Sequence, residues 1–252
     1  MAVSGRAVLV TGAVRGIGRS IATAFAEQGD RVALHHRANA EGAEELRGEL
    51  AGSGHAVVRA ELTDPDAVRP MVDEAAAALG GLDVLVNNAA VMVHHQVEDS
   101  TYEEWQRAWQ DVVGTNLLAA ANVTWCAVQH LRQRPNARIV NVSSRGAFRG
   151  EPHAPAYGAS KAGLNAFGQS LAKALGPLGI AVSSVAPGFV ETRMAGVQLT
   201  GEQGVRRRAE SPFDRVARPE EVAAAVVWLA SSEAEWASGA VLDLNGASYL
   251  RT

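Results

Sequence analysis

A chain of 252 residues that is 47% hydrophobic and 20% charged has apolar material for one large α/β domain or two small ones, and too much of it for disorder. The net charge of −4 gives no basic surplus for a nucleic acid, and a single cysteine, Cys126, excludes an internal disulfide and a cysteine-based zinc site. No apolar run nears the roughly 18 residues of a membrane span, and the opening MAVSGRAVLVTG lacks the apolar core of a signal peptide, so a reducing cytoplasm is the expected setting.

In chain order, short β-rich runs alternate with helix-like segments. Strands are expected at 7–11, 31–35, 55–60, 82–87, 138–143, 180–186 and 240–244, and helices at 18–29, 40–50, 65–79, 101–132, 155–175 and 219–231. Strands that are apolar at nearly every position are buried on both faces, which requires a parallel sheet with helices on each side. The alternation predicts a doubly wound, Rossmann-type, seven-stranded parallel sheet in one domain spanning 1–252. The polar, glycine-containing stretch 195–218 reads as a substrate lid, with a plain surface excursion as the alternative.

Directly after the first strand comes TGAVRGIG, with Gly12, Gly16, Ile17 and Gly18 leading into a helix. A turn without Cβ atoms lets a dinucleotide pyrophosphate approach the backbone, where the helix N-terminus offers free N–H groups. A site for NAD usually ends its second strand with a carboxylate for the ribose diol. Here that strand ends in His36 and Arg37, and Arg15 sits inside the glycine turn. Two guanidinium groups suit a 2′-phosphate, so NADP(H) is the expected cofactor.

In the segment PAYGASKAGLNAFGQSLAKAL, Tyr157 and Lys161 lie one helical turn apart. A unit charge at about 4 Å, at an effective dielectric near 20, is worth about 4 kcal/mol, or roughly three pKa units. That would bring a phenol from near 10 to near 7, fit to exchange protons with a carbonyl or alcohol oxygen. Ser144 lies 13 residues upstream, at the end of the fifth strand, where parallel sheets place their sites. Ser143 competes, but strand alternation and the spacing to Tyr157 favour Ser144.

TGAVRGIG, LTD (62–64), NNAA (87–90), TNL (115–117), NVSS (141–144), YGASK (157–161) and PGFVET (187–192) follow one another along the chain. Together they make the chain resemble the single-domain short-chain dehydrogenases/reductases, near the 3-oxoacyl-carrier-protein reductase branch. The resemblance implies that Tyr157 is the catalytic acid/base and that Ser144 hydrogen-bonds the substrate oxygen. Lys161 would hold the nicotinamide ribose and acidify the phenol, and Asn116 would anchor a water in a proton relay. It further implies Glu61 and Leu62 along the adenine, Asn88 at the adenosine ribose, and the segment Pro187, Gly188, Val190 and Thr192 at the carboxamide. A small carbonyl or alcohol substrate and a homotetramer or dimer complete the expectation. A 3-oxoacyl-thioester reductase and a non-catalytic NADP(H)-binding regulator are the alternatives.

The chain departs from the family pattern in places. Ala90 stands where the family has glycine, and DLNGA replaces a Gly-Gly pair. Leu178 and Pro135-Asn136-Ala137 occupy positions where carrier-protein reductases are basic, with Arg134 the one substitute. The pairs His35-His36 and His94-His95 are not read as metal ligands. His94, His95 and His153 are candidate pocket residues, Arg206 to Arg208 a solvated face, and Trp105, Trp109 and Trp228 packing or subunit contacts. Cys126 is expected in the core, and Asp83 at a strand end.

Overall fold

The computed structural model describes residues 5–192 and 200–251. Seven strands form one parallel sheet: β1 (Ala7–Val10), β2 (Arg31–His36), β3 (Ala56–Arg59), β4 (Val84–Asn87), β5 (Arg138–Val142), β6 (Ala181–Pro187) and β7 (Val241–Leu244). Their order is β3-β2-β1-β4-β5-β6-β7. The order reverses between β1 and β4, the place where sheets of this kind bind ligands beyond the carboxyl ends of their strands.

Strand alternation explains the two layers. In β1, Ala7 and Leu9 enter one core while Val8 and Val10 enter the other, all four fully buried. The first core is closed by α3 (Pro65–Leu79), α5 (Ala119–Leu131) and α7 (Pro155–Leu175) through Met71, Val72, Val123, Ala127, Leu131 and Leu175. The second is closed by α1 (Gly16–Glu27), α2 (Ala40–Glu49) and α9 (Pro219–Leu229) through Ile21, Phe25, Leu46, Val222 and Val226. Burying a Leu, Ile or Phe side chain of this kind contributes about 1.5–3 kcal/mol.

Local signals set the helix ends. Asp64 caps α3 by accepting from Asp66 N–H at 3.0 Å, and Gly80 closes it in the left-handed region at φ 71°. Thr101 and Glu104 form a reciprocal capping box on α4 (Tyr102–Val113). The stretch 101–132, expected as one helix, is interrupted: Gly114–Leu118 forms a π-helical turn in which Ala119 N–H donates to Gly114 O. Short α6 (Gly146–Arg149) follows β5, and α8 (Gly201–Ala209) precedes α9. Of the expected lid, 195–199 lie outside the described residues. Its far end is tied to the sheet, because Ala217 N–H donates to Phe189 O and Glu191 N–H to Ala217 O, at 2.9 and 2.8 Å.

Cys126 is in the core as expected. Asp83 fixes a strand end, accepting from Ala7 N–H at 2.7 Å and pairing with Arg134 at 3.5 Å.

Candidate active site

The glycine turn sits between β1 and α1, on the switch point. Gly12 and Gly16 have φ of +64° and +54°, which favours glycine at both. A Cβ on Gly18 would lie 2.2 Å from Gly12 O and 2.5 Å from Asn88 Nδ2, so that position admits only hydrogen. Thr192 packs on this turn: its Cγ2 would meet a Cβ on Gly16 at 3.3 Å. Helix α1 begins with no side-chain cap and no acidic residue in its first turn. A side-chain-free start with a positive dipole end suits phosphate.

His35, considered in the sequence only as a metal candidate, braces the turn. Gly12 N–H donates to its Nδ1 at 3.0 Å, and its Nε2 lies 3.2 Å from Ala60 O. A backbone N–H can only donate and a carbonyl can only accept, so the ring is neutral with its proton on Nε2. Burial pushes its pKa from 6.5 down to about 4. Parallel pairing of Val10 with Leu34 puts the next residue, His35, level with the start of the turn. That register was the available signal. Among the described residues no cluster of three potential metal ligands occurs.

The corner expected to take the adenosine carries two cations. Arg15 and Arg37 are exposed; Arg37 lies 3.7 Å from Glu61, and Arg59 donates to Arg37 O. Glu61 Oε1 is held by Thr63 N–H and Oγ1, and Leu62 is buried beside them. His36 is buried with Nδ1 lacking any hydrogen-bond partner. An orphaned ring nitrogen, a side-chain-free helix start and a glycine cradle together fit a phosphorylated dinucleotide.

Asn88 stands against the glycine turn. Its amide donates to Thr11 O and Gly12 O at 2.8 and 3.1 Å, so it fastens the loop after β4 to the glycine turn. Ala90 does not have a positive φ, so its methyl adds no backbone strain. Pro187 ends β6, Gly188 follows it, and buried Val190 bridges to Ala217. At the tail, Asn245 donates to Tyr249 O at 2.9 Å and so orders the turn that replaces the Gly-Gly pair.

The catalytic candidates meet beyond β5. Ser143 faces inward, donating to Lys161 O at 3.3 Å, whereas Ser144 is half-buried and hydrogen-bonds the Tyr157 hydroxyl. The expected electrostatics are corrected. Burial raises the Tyr157 pKa; Ser144's hydrogen bond opposes that, and Glu151's charge adds to it. The buried Nζ of Lys161 donates to Val142 O, at 2.7 Å, and stands 5.9 Å from the centre of the Tyr157 ring. Burial lowers Lys161's own pKa to about 8. The cost of burying both groups opposes the attraction that their spacing in sequence suggests.

Asn116 lies in the π-turn, buried. Its amide accepts from Val91 N–H at 2.8 Å and donates to Val91 O and Ser160 Oγ at 3.0 and 3.1 Å. This locks the loop after β4 to α7. His95 is likewise no free pocket residue. Its Nε2 accepts Ala156 N–H at 3.1 Å and its Nδ1 is 2.8 Å from Val93 O. It thereby supplies the N-terminal cap that α7 lacks from Ala154, one residue before Tyr157. Its ring stacks edge-on to Trp105, which meets Trp109, so these two tryptophans pack as expected. Trp228 is exposed. His94 and His153 are exposed near the same loop.

A third residue escaped the sequence reading. Arg145, next to Ser144, is buried and held by Glu210 at 2.7 Å and Ser248 at 2.5 Å.

Comparison with known proteins gives a consistent picture. A family model described as "Enoyl-(Acyl carrier protein) reductase" matches residues 12–246. The 3-oxoacyl-[acyl-carrier-protein] reductase FabG of Vibrio cholerae is 33% identical over 250 residues, covering 99% of this chain and 100% of its own. The cis-4-hydroxycyclohexanecarboxylate dehydrogenase of Sinomonas cyclohexanicum is 36% identical over 243 residues, 96% of this chain and 95% of its own. A short chain dehydrogenase from Burkholderia cenocepacia J2315, solved with NADP, superposes with a TM-score of 0.87 at 33% identity, covering 97% and 98% of the two chains.

Proposed function

Because the chain belongs to the short-chain dehydrogenase/reductase family, we propose that this NAD(P)-dependent oxidoreductase works as an NADPH-dependent carbonyl reductase through Tyr157, Ser144 and Lys161. The observation that carries the reading is the meeting of Tyr157 and Ser144 at the carboxyl end of β5, beside a glycine turn built for phosphate. Arg15 and Arg37 support NADPH over NADH.

The nicotinamide, when bound, supplies the hydride. Tyr157 donates its phenolic proton to the substrate oxygen. Its raised pKa keeps that proton in place at neutral pH, available for transfer. Ser144 hydrogen-bonds the same oxygen as charge builds there. Lys161, lowered to about 8, exchanges its proton near neutrality and so is suited to re-protonating the site. Asn116 and His95 keep α7 and the loop after β4 in register around Tyr157. Gly12, Gly16, Ile17 and Gly18 would cradle the pyrophosphate. His36, Glu61, Leu62 and Asn88 would border the adenosine, and Pro187, Gly188, Val190 and Thr192 the carboxamide end.

The same reading takes 195–218 as a cover over the substrate and a homo-oligomer as the working form. Exposed Leu118 and Trp125 support contact between copies. The same reading sets the protein in the cytoplasm; no helix among the described residues is long and apolar enough to cross a membrane.

A second reading, reduction of a 3-oxoacyl thioester, is favoured by the FabG relatives. Against it, Arg134 is engaged by Asp83 and Gly80 O, which leaves the carrier-docking face without its one basic substitute. The test is NADPH oxidation followed at 340 nm with a panel of ketones and acetoacetyl-CoA, for the natural protein and Tyr157→Phe. Turnover of a ketone that Tyr157→Phe abolishes, with NADPH binding retained, is expected. Full activity in Tyr157→Phe refutes the mechanism. NADPH binding with no carbonyl compound turned over would leave a nucleotide-binding regulator.

A further inference from the structure

Glu151 lies in the loop that joins α6 to α7, between the stretches that carry Ser144 and Tyr157. Gly150, at φ +80°, turns the chain there. The Glu151 side chain lies across the start of α6: a Cβ on Gly146 would stand 2.5 Å from its Oε1 and 3.0 Å from its Cδ. A Cβ on Gly158 would stand 3.8 Å from the Glu151 Cβ. Gly146 N–H donates to Ser144 Oγ at 3.0 Å, and Gly158 directly follows Tyr157. Two glycines thus make room for a carboxylate against the catalytic pair.

That carboxylate is poorly satisfied. The side chain is 19% exposed, and its ion-pair partner, Arg149 Nε, stands 3.7 Å away, beyond hydrogen-bond reach. Arg149 also reaches Glu210 at 3.3 Å. Glu210 and Glu221 are more exposed, yet each accepts a hydrogen bond from an arginine, at 2.7 and 2.6 Å. Among the described residues no donor hydrogen-bonds either oxygen of Glu151. A carboxylate offers about four acceptor sites, and leaving them unfilled away from water is costly. Its charge is not what lacks an answer, because Arg149 pairs with it and Arg145 and Arg207 feel it. What it lacks is a donor.

We propose that Glu151 accepts a hydrogen bond from a hydroxyl group of the substrate, so that the ketone reduced at Tyr157 is an α-hydroxy ketone and the product a vicinal diol. This rests on the reductase reading and names its substrate class. Ser144 Oγ and Glu151 Oε1 both lie against Gly146, which suits a carbonyl and a hydroxyl on adjacent carbons. A neutral hydroxyl fits better than either ion. A substrate anion would be repelled by Glu151, and an ammonium by the three guanidinium groups that act on the same carboxylate.

The test compares 2-hydroxycyclohexanone with 2-methoxycyclohexanone, which keeps the oxygen and loses the donor. Calorimetry on NADPH-saturated Tyr157→Phe measures recognition without turnover, and kcat/KM of the natural protein measures it with turnover. About a tenfold or greater preference for the hydroxy ketone is expected in both, as for a hydrogen bond to a charged group. Glu151→Gln keeps the shape against Gly146 and Gly158 and should bring that preference down to roughly threefold or less, since a neutral acceptor is about half as strong. The ratio is the readout because the Glu151 charge also acts on Tyr157, whatever the substrate. A role in packing alone would slow both ketones alike, and an unchanged ratio in Glu151→Gln overturns the proposal. So does equal binding of the two ketones, or tighter binding of the 2-aminocyclohexanone cation. If both ketones are reduced with no hydroxyl preference, the Glu151 site falls and the reductase reading stands. If the hydroxy ketone binds preferentially but no carbonyl compound is reduced, the site stands and the reductase reading falls.

Discussion

Replacing His35 by glutamine tests how the glycine turn is held. In the folded protein Nδ1 must stay unprotonated to accept Gly12 N–H, while Nε2–H serves Ala60 O. The folded pKa of about 4 lies below the ordinary 6.5. That gap is worth about 3 kcal/mol. The unfolded chain takes up the proton as pH falls through 6.5, the native protein only near 4. The contribution is therefore complete above pH 6.5 and is lost as pH descends from 6.5 to 4. His36 shares the neighbourhood, its pKa also lowered by burial and Arg59, and Glu61, Arg37 and Arg59 face the same corner. The readout is consequently a difference between two proteins. Urea unfolding is measured from pH 7 to 4 for the natural protein and His35→Gln. The natural protein should lose about 3 kcal/mol more than the variant across that range, and its NADPH affinity should weaken over the same interval. Parallel stability profiles would refute the brace.

Arg15→Ala and Arg37→Ala should each lower the NADPH-over-NADH ratio of kcat/KM by roughly 10- to 100-fold, the worth of about 1.5–3 kcal/mol for a hydrogen bond to a charged group. Glu61→Gln, which releases Arg37, should raise that ratio. Ser144→Ala should cut kcat by roughly 10²–10³, whereas Ser143→Ala, losing only its bond to Lys161 O, should cost about 1 kcal/mol of stability in urea and little rate. Gly18→Ala should abolish tight NADPH binding in a fluorescence titration, because its Cβ overlaps Gly12 O. Gly48→Ala, with open space around it on α2, should raise stability by up to about 1 kcal/mol.

The sheet was legible because central parallel strands must be apolar on both faces, and runs such as AVLVT and RIVNVS are. Helix α7 was legible to its ends because Pro155 opens it and Gly176 follows it. The four catalytic candidates came from their order along the chain. What failed did so for reasons outside local pattern. The apolar period cannot reveal a π-turn, which changes hydrogen bonding without changing composition. The roles of His35, His95 and Asn116 depend on partners 23, 61 and 25 residues away. The acidity assigned to Tyr157 rested on charge proximity alone, and burial decides its sign in the folded protein.

The π-turn also fixes how this chain can vary in length. Helices α4 and α5 form nearly one rod carrying a surplus residue at Gly114–Leu118. A plain α-helix advances about 100° per residue, and a π-turn takes one residue more within a turn, so the surplus is absorbed locally and α5 keeps its phase. Deleting one of those five residues would wind the rod back into plain α-helix with Val123 and Leu131 still on the sheet they cover and Trp125 still outward. Deleting one residue within α5 would instead turn everything beyond it by about 100°, so a chimera or graft between relatives can change the count at the π-turn and not in the helices beside it.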